Sequence, residues 1–195
     1  MHLSRRPQPG GRPPRFVREA GFGLVEITIA TSLLVVGCLG LLGSAVGSVR
    51  LLSVNRERAR AHAAAHTLLE RLESANFSLL FANYNHDPTD DPAGAGSSPG
   101  ANFAVVGLTA QKGDADGLPG EIRFPTVGGA GLQLSEAVVD PRWGMPRDLD
   151  GDGAETGGAL AGAYVILPVR IRIAWRGVGG NQVLEIDDLL VDHGG

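Results

Sequence analysis

The sequence predicts an α+β protein: a long N-terminal α-helix, membrane-spanning in its first half, followed by a head built on short β-strands. Three observations predict it. Residues 27–49 carry no formally charged side chain. Beyond them, apolar residues return at spacings of three and four as far as Leu80. From Tyr164 to Arg176 the spacing changes to strict alternation, the period of a strand.

The chain has 195 residues, enough for one modest domain plus an appendage. Its first 21 residues form a polar, basic leader with Arg5, Arg6, Arg12, Arg15 and Arg18 against Glu19 alone, a net charge of +4. After Gly21 the remaining 12 basic and 20 acidic side chains give −8. Short basic flanks tend to stay in the cytoplasm, so this order reads as cytoplasm, membrane, then outside. An acidic exterior part also makes nucleic acid an electrostatically awkward partner, and none is predicted.

Residues 22–49 form the membrane-spanning or filament-core part of the helix. The 23 uncharged residues from Ile27 to Val49 rise about 1.5 Å each, roughly 35 Å in all, against a hydrocarbon layer of about 30 Å. A secretory signal would be shorter and would end at a small-residue cleavage site on the far side. Gly37, Gly40, Gly43 and Gly47 permit close helix contacts there, the alternative being glycines tolerated on a lipid-facing segment. The sole cysteine, Cys38, lies in the same run, so no internal disulfide is available.

Residues 50–82 continue the helix as an amphipathic segment. After Arg50, Arg56, Glu57, Arg58 and Arg60, a stripe of Ala65, Leu68, Leu69, Leu72, Ala75, Leu79 and Leu80 marks one buried face. The helix is expected to run without interruption to Leu80. His62 and His66 stand four apart, but no third ligand accompanies them, and they read as helix-surface residues. Residues 83–102, rich in Asp, Pro, Gly and Ser, read as a flexible loop.

Residues 103–195 form the head. Candidate strands lie at Phe103 to Thr109, Glu121 to Phe124 and Leu132 to Val139. In the stretch from Tyr164 to Arg176, Val165, Leu167, Val169, Ile171, Ile173 and Trp175 face one way and Arg170, Arg172 and Arg176 the other, which specifies one packed face. Gly177 to Asn181 reads as a hairpin connection into a last strand, Gln182 to Val191.

The junction Gly21-Phe22-Gly23-Leu24-Val25-Glu26, behind a basic leader and ahead of an apolar helix, resembles the class III signal of type IV pilins and type II secretion pseudopilins. Gly23 stands where that family commonly has threonine. The resemblance implies cleavage by prepilin peptidase between Gly21 and Phe22, N-methylation of Phe22, and Glu26 as the fifth mature residue, used in assembly. It implies an antiparallel sheet packed on the second half of the helix. It also implies partners: the peptidase and methylase, other pilin or pseudopilin subunits, an inner-membrane assembly platform and the lipid bilayer. The late strands are similar to the subgroup of minor pilin PilV and secretion pseudopilin GspI.

Elementary energetics supplies a reason for Glu26 as well. A carboxylate buried without a partner in lipid or among packed helices is costly, and a nearby opposite charge offsets much of that cost. Cleavage before Phe22 creates such a charge, an α-amine able to pair with Glu26 of the same or an adjoining subunit. The other reading of the glutamate is an N-terminal acid favoured by the helix dipole.

Asp148-Leu149-Asp150-Gly151-Asp152-Gly153-Ala154-Glu155 places carboxylates at alternate positions in a glycine-rich turn. Hard oxygen ligands so arranged suit calcium, making Asp148, Asp150, Asp152 and Glu155 candidate ligands, although an EF-hand would need glutamate where Ala159 stands. A solvated acidic turn is the alternative. Asp114-Ala115-Asp116-Gly117 repeats the pattern weakly. No phosphate loop, redox thiol pair, zinc cluster or nucleophile elbow is recognisable, so the chain is expected not to be an enzyme. The competing function is a single-pass, membrane-anchored periplasmic or surface binding protein that retains residues 1–21.

Overall fold

The computed structural model describes residues 23–128, 133–155, 157, 160 and 164–192. The chain divides into two compact units, Met1–Val46 and Gly47–Gly195. Helix α1 spans Leu24–Glu73.

In the first unit every described side chain is exposed, including Leu24, Ile29, Leu33, Val36, Leu39 and Leu42. The helix is long and apolar enough to cross a membrane. Its few hydroxyls are internally satisfied. Thr28 donates to the Val25 carbonyl at 2.8 Å, Thr31 to Ile27 at 2.9 Å and Ser32 to Thr28 at 2.7 Å. Such back-bonding removes the cost of carrying a polar hydrogen into hydrocarbon.

In the second unit α1 buries Ala61, Ala65, Leu68, Leu69 and Leu72, the stripe that helical spacing requires. Against it lies a four-stranded antiparallel sheet of β1 (Asn102–Phe103), β2 (Gly120–Arg123), β5 (Ile166–Gly177) and β6 (Gly180–Val191), in the order β1-β2-β5-β6. A separate pair, β3 (Thr126–Val127) and β4 (Gln133–Leu134), flanks it. The core is the helix stripe together with Leu167, Val169, Ile171, Ile173 and Trp175 of β5. Alternation put those five on one face, and all five are buried; Val165 lies before the strand and is exposed. The fold is thus α+β, with a helix packed on an antiparallel sheet.

β5 and β6 pair over their whole length through a tight connection, with Gly177 opposite Gly180 and Val178-Gly179 between them. Gly180 takes φ of +97°, a conformation glycine adopts without a Cβ penalty. Pro168 has no N–H to give a second neighbour. It lies outside the Arg170–Ile173 stretch that β2 pairs, where the missing donor does no harm.

Three expectations need correction. The helix stops at Glu73 instead of continuing to Leu80. Asn76 is extended (φ −65°, ψ 113°) and its side chain accepts from the Ser78 amide, starting a short 3-10 turn, Phe77–Leu79, and then α2 (Leu80–Tyr84). The expected strand from Phe103 to Thr109 shortens to its first residue plus Asn102, because Leu108 N–H turns back to the Val105 carbonyl around Gly107. The one from Leu132 to Val139 shortens to Gln133–Leu134 among the described residues.

Tyr164 holds the broken end of the helix in place. Its hydroxyl donates to the Phe77 carbonyl at 2.8 Å and accepts from the Phe81 amide at 3.1 Å, and its ring meets that of Phe77 at 5.0 Å. Burial raises the phenol's pKa, outweighing the hydrogen bonds that lower it. Tyr164→Phe orphans both backbone groups and should cost about 1–2 kcal/mol in denaturant unfolding of the micelle-solubilised chain. An unchanged midpoint would show that the hydroxyl holds nothing.

The segment after α2 is irregular but internally bonded. Asn85 donates to Asp90 at 2.7 Å and accepts from the Asp87 amide at 2.7 Å, Ser98 donates to Asn83 at 2.9 Å, and the Gly100 amide donates to the Asn83 carbonyl at 3.0 Å.

Candidate functional site

Of the processing residues, Gly21 and Phe22 lie outside the described residues. Glu26 sits in the first turn of α1, exposed, with its amide bonded to the Gly23 carbonyl at 2.9 Å. Nothing on its own helix encloses the carboxylate.

The acidic loop is shaped by its own carboxylates. Asp148 accepts from the amides of Gly151 at 2.7 Å and Gly153 at 2.8 Å, while Asp150 accepts from Asp152 at 3.1 Å and Asp152 from Ala154 at 2.8 Å. Positive φ at Gly151 and Gly153 lets the backbone fold over these oxygens. The Gly153 amide, with that of Gly151, holds the Asp148 carboxyl below its ordinary pKa despite some desolvation. At Asp150 the Asp152 amide lowers the pKa, but desolvation and the charges of Asp152, Glu136 and Asp148 outweigh it and leave the carboxyl raised.

The group that converges is Glu136, Asp148 and Asp150, with one oxygen from each within 4.8 Å of the others. Asp152 and Glu155 are not members of it. Glu136 is fully buried, and one of its oxygens accepts from the amides of Leu149 at 2.7 Å and Asp150 at 3.3 Å. A hard dication with oxygens at about 2.4 Å holds donors up to about 4.8 Å apart, so the three carboxylates fit one. Besides desolvation, the charges of Asp152, Glu136 and Asp148 raise the Asp150 carboxyl, and a bound cation would offset them. Sequence spacing did not find Glu136, which stands far upstream of the aspartates; its only signal is a lone acid in the apolar stretch from Leu134 to Val139.

The weaker repeat forms hydrogen-bonded turns: Asp114 accepts from the amides of Asp116 and Gly117, and Asp116 from that of Leu118 at 2.9 Å. His62 and His66 are exposed on α1 and belong to no cluster of three ligands among the described residues.

The face of the sheet turned away from α1 carries a charge network that alternation alone had left open to solvent. Arg170 is 9% exposed. Its Nε and Nη2 donate to Asp187 at 2.5 and 3.0 Å, its Nη1 donates to Asp140 at 2.9 Å, and its guanidinium lies 4.3 Å from the centre of the Trp143 ring. Arg142 reaches Glu185 at 2.7 Å and Asp187 at 3.7 Å. Arg172 lies 3.7 Å from both Glu121 and Glu185, and Glu121 pairs with Arg123 at 2.7 Å. The short turn Pro141–Trp143, capped by Asp140, lays Trp143 and Arg142 over β5 and β6. This is a correction: both faces of β5 are covered, and of its three arginines only Arg176 is exposed.

In comparisons with family models, curated proteins and solved structures, nothing matches this chain.

Proposed function

We propose that the chain is a minor pilin or pseudopilin, a structural subunit of a type IV pilus or a type II secretion pseudopilus. In this reading it enters the bacterial cytoplasmic membrane once, with its head outside, and prepilin peptidase removes residues 1–21. Phe22 is then methylated, and the subunit passes by way of the assembly platform into a filament with other subunits. The observation that carries the reading is the Gly21-Phe22 junction immediately ahead of an unbroken, exposed apolar helix with Glu26 in its first turn. A helix-on-sheet head supports it, being the architecture the resemblance implies.

Glu26 gives the functional test. Paired with a neighbouring α-amine it recruits a subunit; unpaired among packed helices it opposes burial. Glu26→Ala is expected to leave membrane insertion and leader removal intact while depleting the protein from sheared or cross-linked filaments. Undiminished incorporation would sink the pairing argument.

The Glu136, Asp148 and Asp150 cluster supports calcium as a bound ion. The ion's task there is structural: it neutralises three converging carboxylates and fixes the acidic loop against the buried Glu136.

A further inference from the structure

Beyond the membrane segment, positive charge gathers at one end of the head. Arg50, Arg56, Arg58 and Arg60 stand directly after the uncharged run, against Glu57 alone. Arg176 joins them from the end of β5, because the β5–β6 hairpin lies on the same turns of α1. Glu57 accepts from the Trp175 indole at 3.3 Å and from the Val178 amide at 3.2 Å, and Arg58 donates to the Gln182 side chain at 3.2 Å. Val54 lies against Gly179. The five arginines and Glu57 carry a net charge of +4, whereas the other charged side chains of residues 61–195 give −11.

All five arginines are exposed. Among the described residues none has a carboxylate within 4.0 Å, in contrast to Arg142, Arg170 and Arg172 on the sheet. Glu57, the acid closest in sequence, already engages both oxygens with the hairpin.

Their placement narrows the class of partner. Successive helix residues turn by about 100°, so positions 50, 56, 58 and 60 are spread around the helix and form a collar, not a stripe. A stripe suits a partner helix on one side; a collar suits a medium that surrounds the helix. Exposed Leu51, Leu52 and Val178 lie among the arginines. Such a mixture fits the boundary between hydrocarbon and headgroups, where an arginine stem lies on apolar surface and its guanidinium meets phosphate. The depth fits as well. Headgroups extend roughly 5–8 Å beyond the hydrocarbon, and their field reaches a further Debye length, about 8 Å at physiological salt. Residues 50–60 rise about 15 Å along the helix.

We propose that this collar binds anionic phospholipid headgroups in the leaflet from which the head emerges. The acidic remainder of the head is repelled by the same surface, so the asymmetry of charge keeps the collar turned to the lipid. The proposal rests on membrane insertion of residues 27–49, which the filament and anchored readings share, and is independent of leader removal.

The experiment reconstitutes the full chain in phosphatidylcholine vesicles containing a trace of spin-labelled phosphatidylglycerol or spin-labelled phosphatidylcholine. The motionally restricted spectral component gives the relative association of the two lipids with the protein. Flotation in alkaline carbonate checks insertion separately, and a chain that fails to insert overturns the shared reading and the proposal with it. The variant replaces Arg50, Arg56 and Arg176 by glutamine, leaving Arg58 and Arg60, which donate to Gln182 and the Gly107 carbonyl, in place. The leader arginines are present in both proteins, so the difference between them reports the collar. Wild type should prefer phosphatidylglycerol at least about twofold more than the glutamine variant at low salt. That gap should close in about 1 M salt, where the Debye length is about 3 Å. Lysine at the same three positions keeps the charge and should restore the preference. Equal preference in wild type and the glutamine variant overturns the proposal, as does a gap that survives high salt or that lysine fails to close. Equal preference together with depletion of the glutamine variant from filaments would assign the arginines to a neighbouring subunit instead.

Discussion

Replacing Arg170 by methionine should lower the stability of the head by about 3 kcal/mol, the low end of the cost of breaking a buried ion pair. Methionine keeps much of the side chain's apolar length, so the loss reports the charge and its hydrogen bonds. Without Arg170, Asp187 keeps only Arg142 at 3.7 Å as an ion-pair partner among the described residues, and Asp140 loses its guanidinium partner at 2.9 Å. Trp143 loses the cation against its ring. Asp140 and Asp187 are each about a quarter exposed, and water they can reach keeps the cost at the low end.

The sign of the pH dependence follows from Asp140. Desolvation raises its pKa, but the hydrogen bond from Arg170 and that from the Arg142 amide outweigh it and leave the pKa lowered. A carboxyl with a depressed folded-state pKa contributes stability that is present above its unfolded value, near 3.9, and is lost as pH falls through the folded value. The gap between wild type and Arg170→Met should therefore be widest at neutral pH and shrink below about pH 4. Denaturant unfolding in micelles at both pH values checks this. An equal gap at both, or none, would show that the arginine acts only as packing.

Glu136 separates a structural carboxylate from a cation ligand. Glu136→Ala removes the acceptor of the Leu149 and Asp150 amides, and orphaning buried donors should cost about 2–3 kcal/mol with or without calcium. Glu136→Gln retains an acceptor oxygen but no charge, so it should fold nearly as well as wild type in chelator. The two variants should both lose what wild type gains from calcium. With the ion at 100 times its dissociation constant that gain is about 2.7 kcal/mol, readable as a rise in melting temperature. A calcium response in Glu136→Gln equal to that of wild type would remove Glu136 from the site. No response in wild type would reduce the loop to a solvated turn.

These residues also show what was legible in the chain. Residues 27–49 advertise a membrane helix because charge is absent over a whole span, and β5 and β6 advertise a hairpin because alternation and glycine agree. Both signals are local. The helix end at Glu73 was not legible, because Leu79 and Leu80 continue the helical spacing past the break. What fixes the break includes Tyr164, 87 residues beyond Phe77 in sequence. Arg170 and Arg172 looked like a solvated face because their partners come from Glu121, Asp140, Glu185 and Asp187, on other elements. Glu136 joins Asp148 and Asp150 only when the chain turns back on itself. Local periodicity reports which face is apolar; it does not report what covers the polar one.

Processing into a filament subunit leaves its mark on the mature N-terminus. The full chain is expressed in a bacterium that carries the assembly system, and the membrane-associated protein is analysed by mass spectrometry. The expected species is a chain beginning at Phe22 and carrying one added methyl group. An intact leader, under conditions where a control pilin is cleaved, would rule out the filament-subunit reading and favour a membrane-anchored binding protein that keeps residues 1–21.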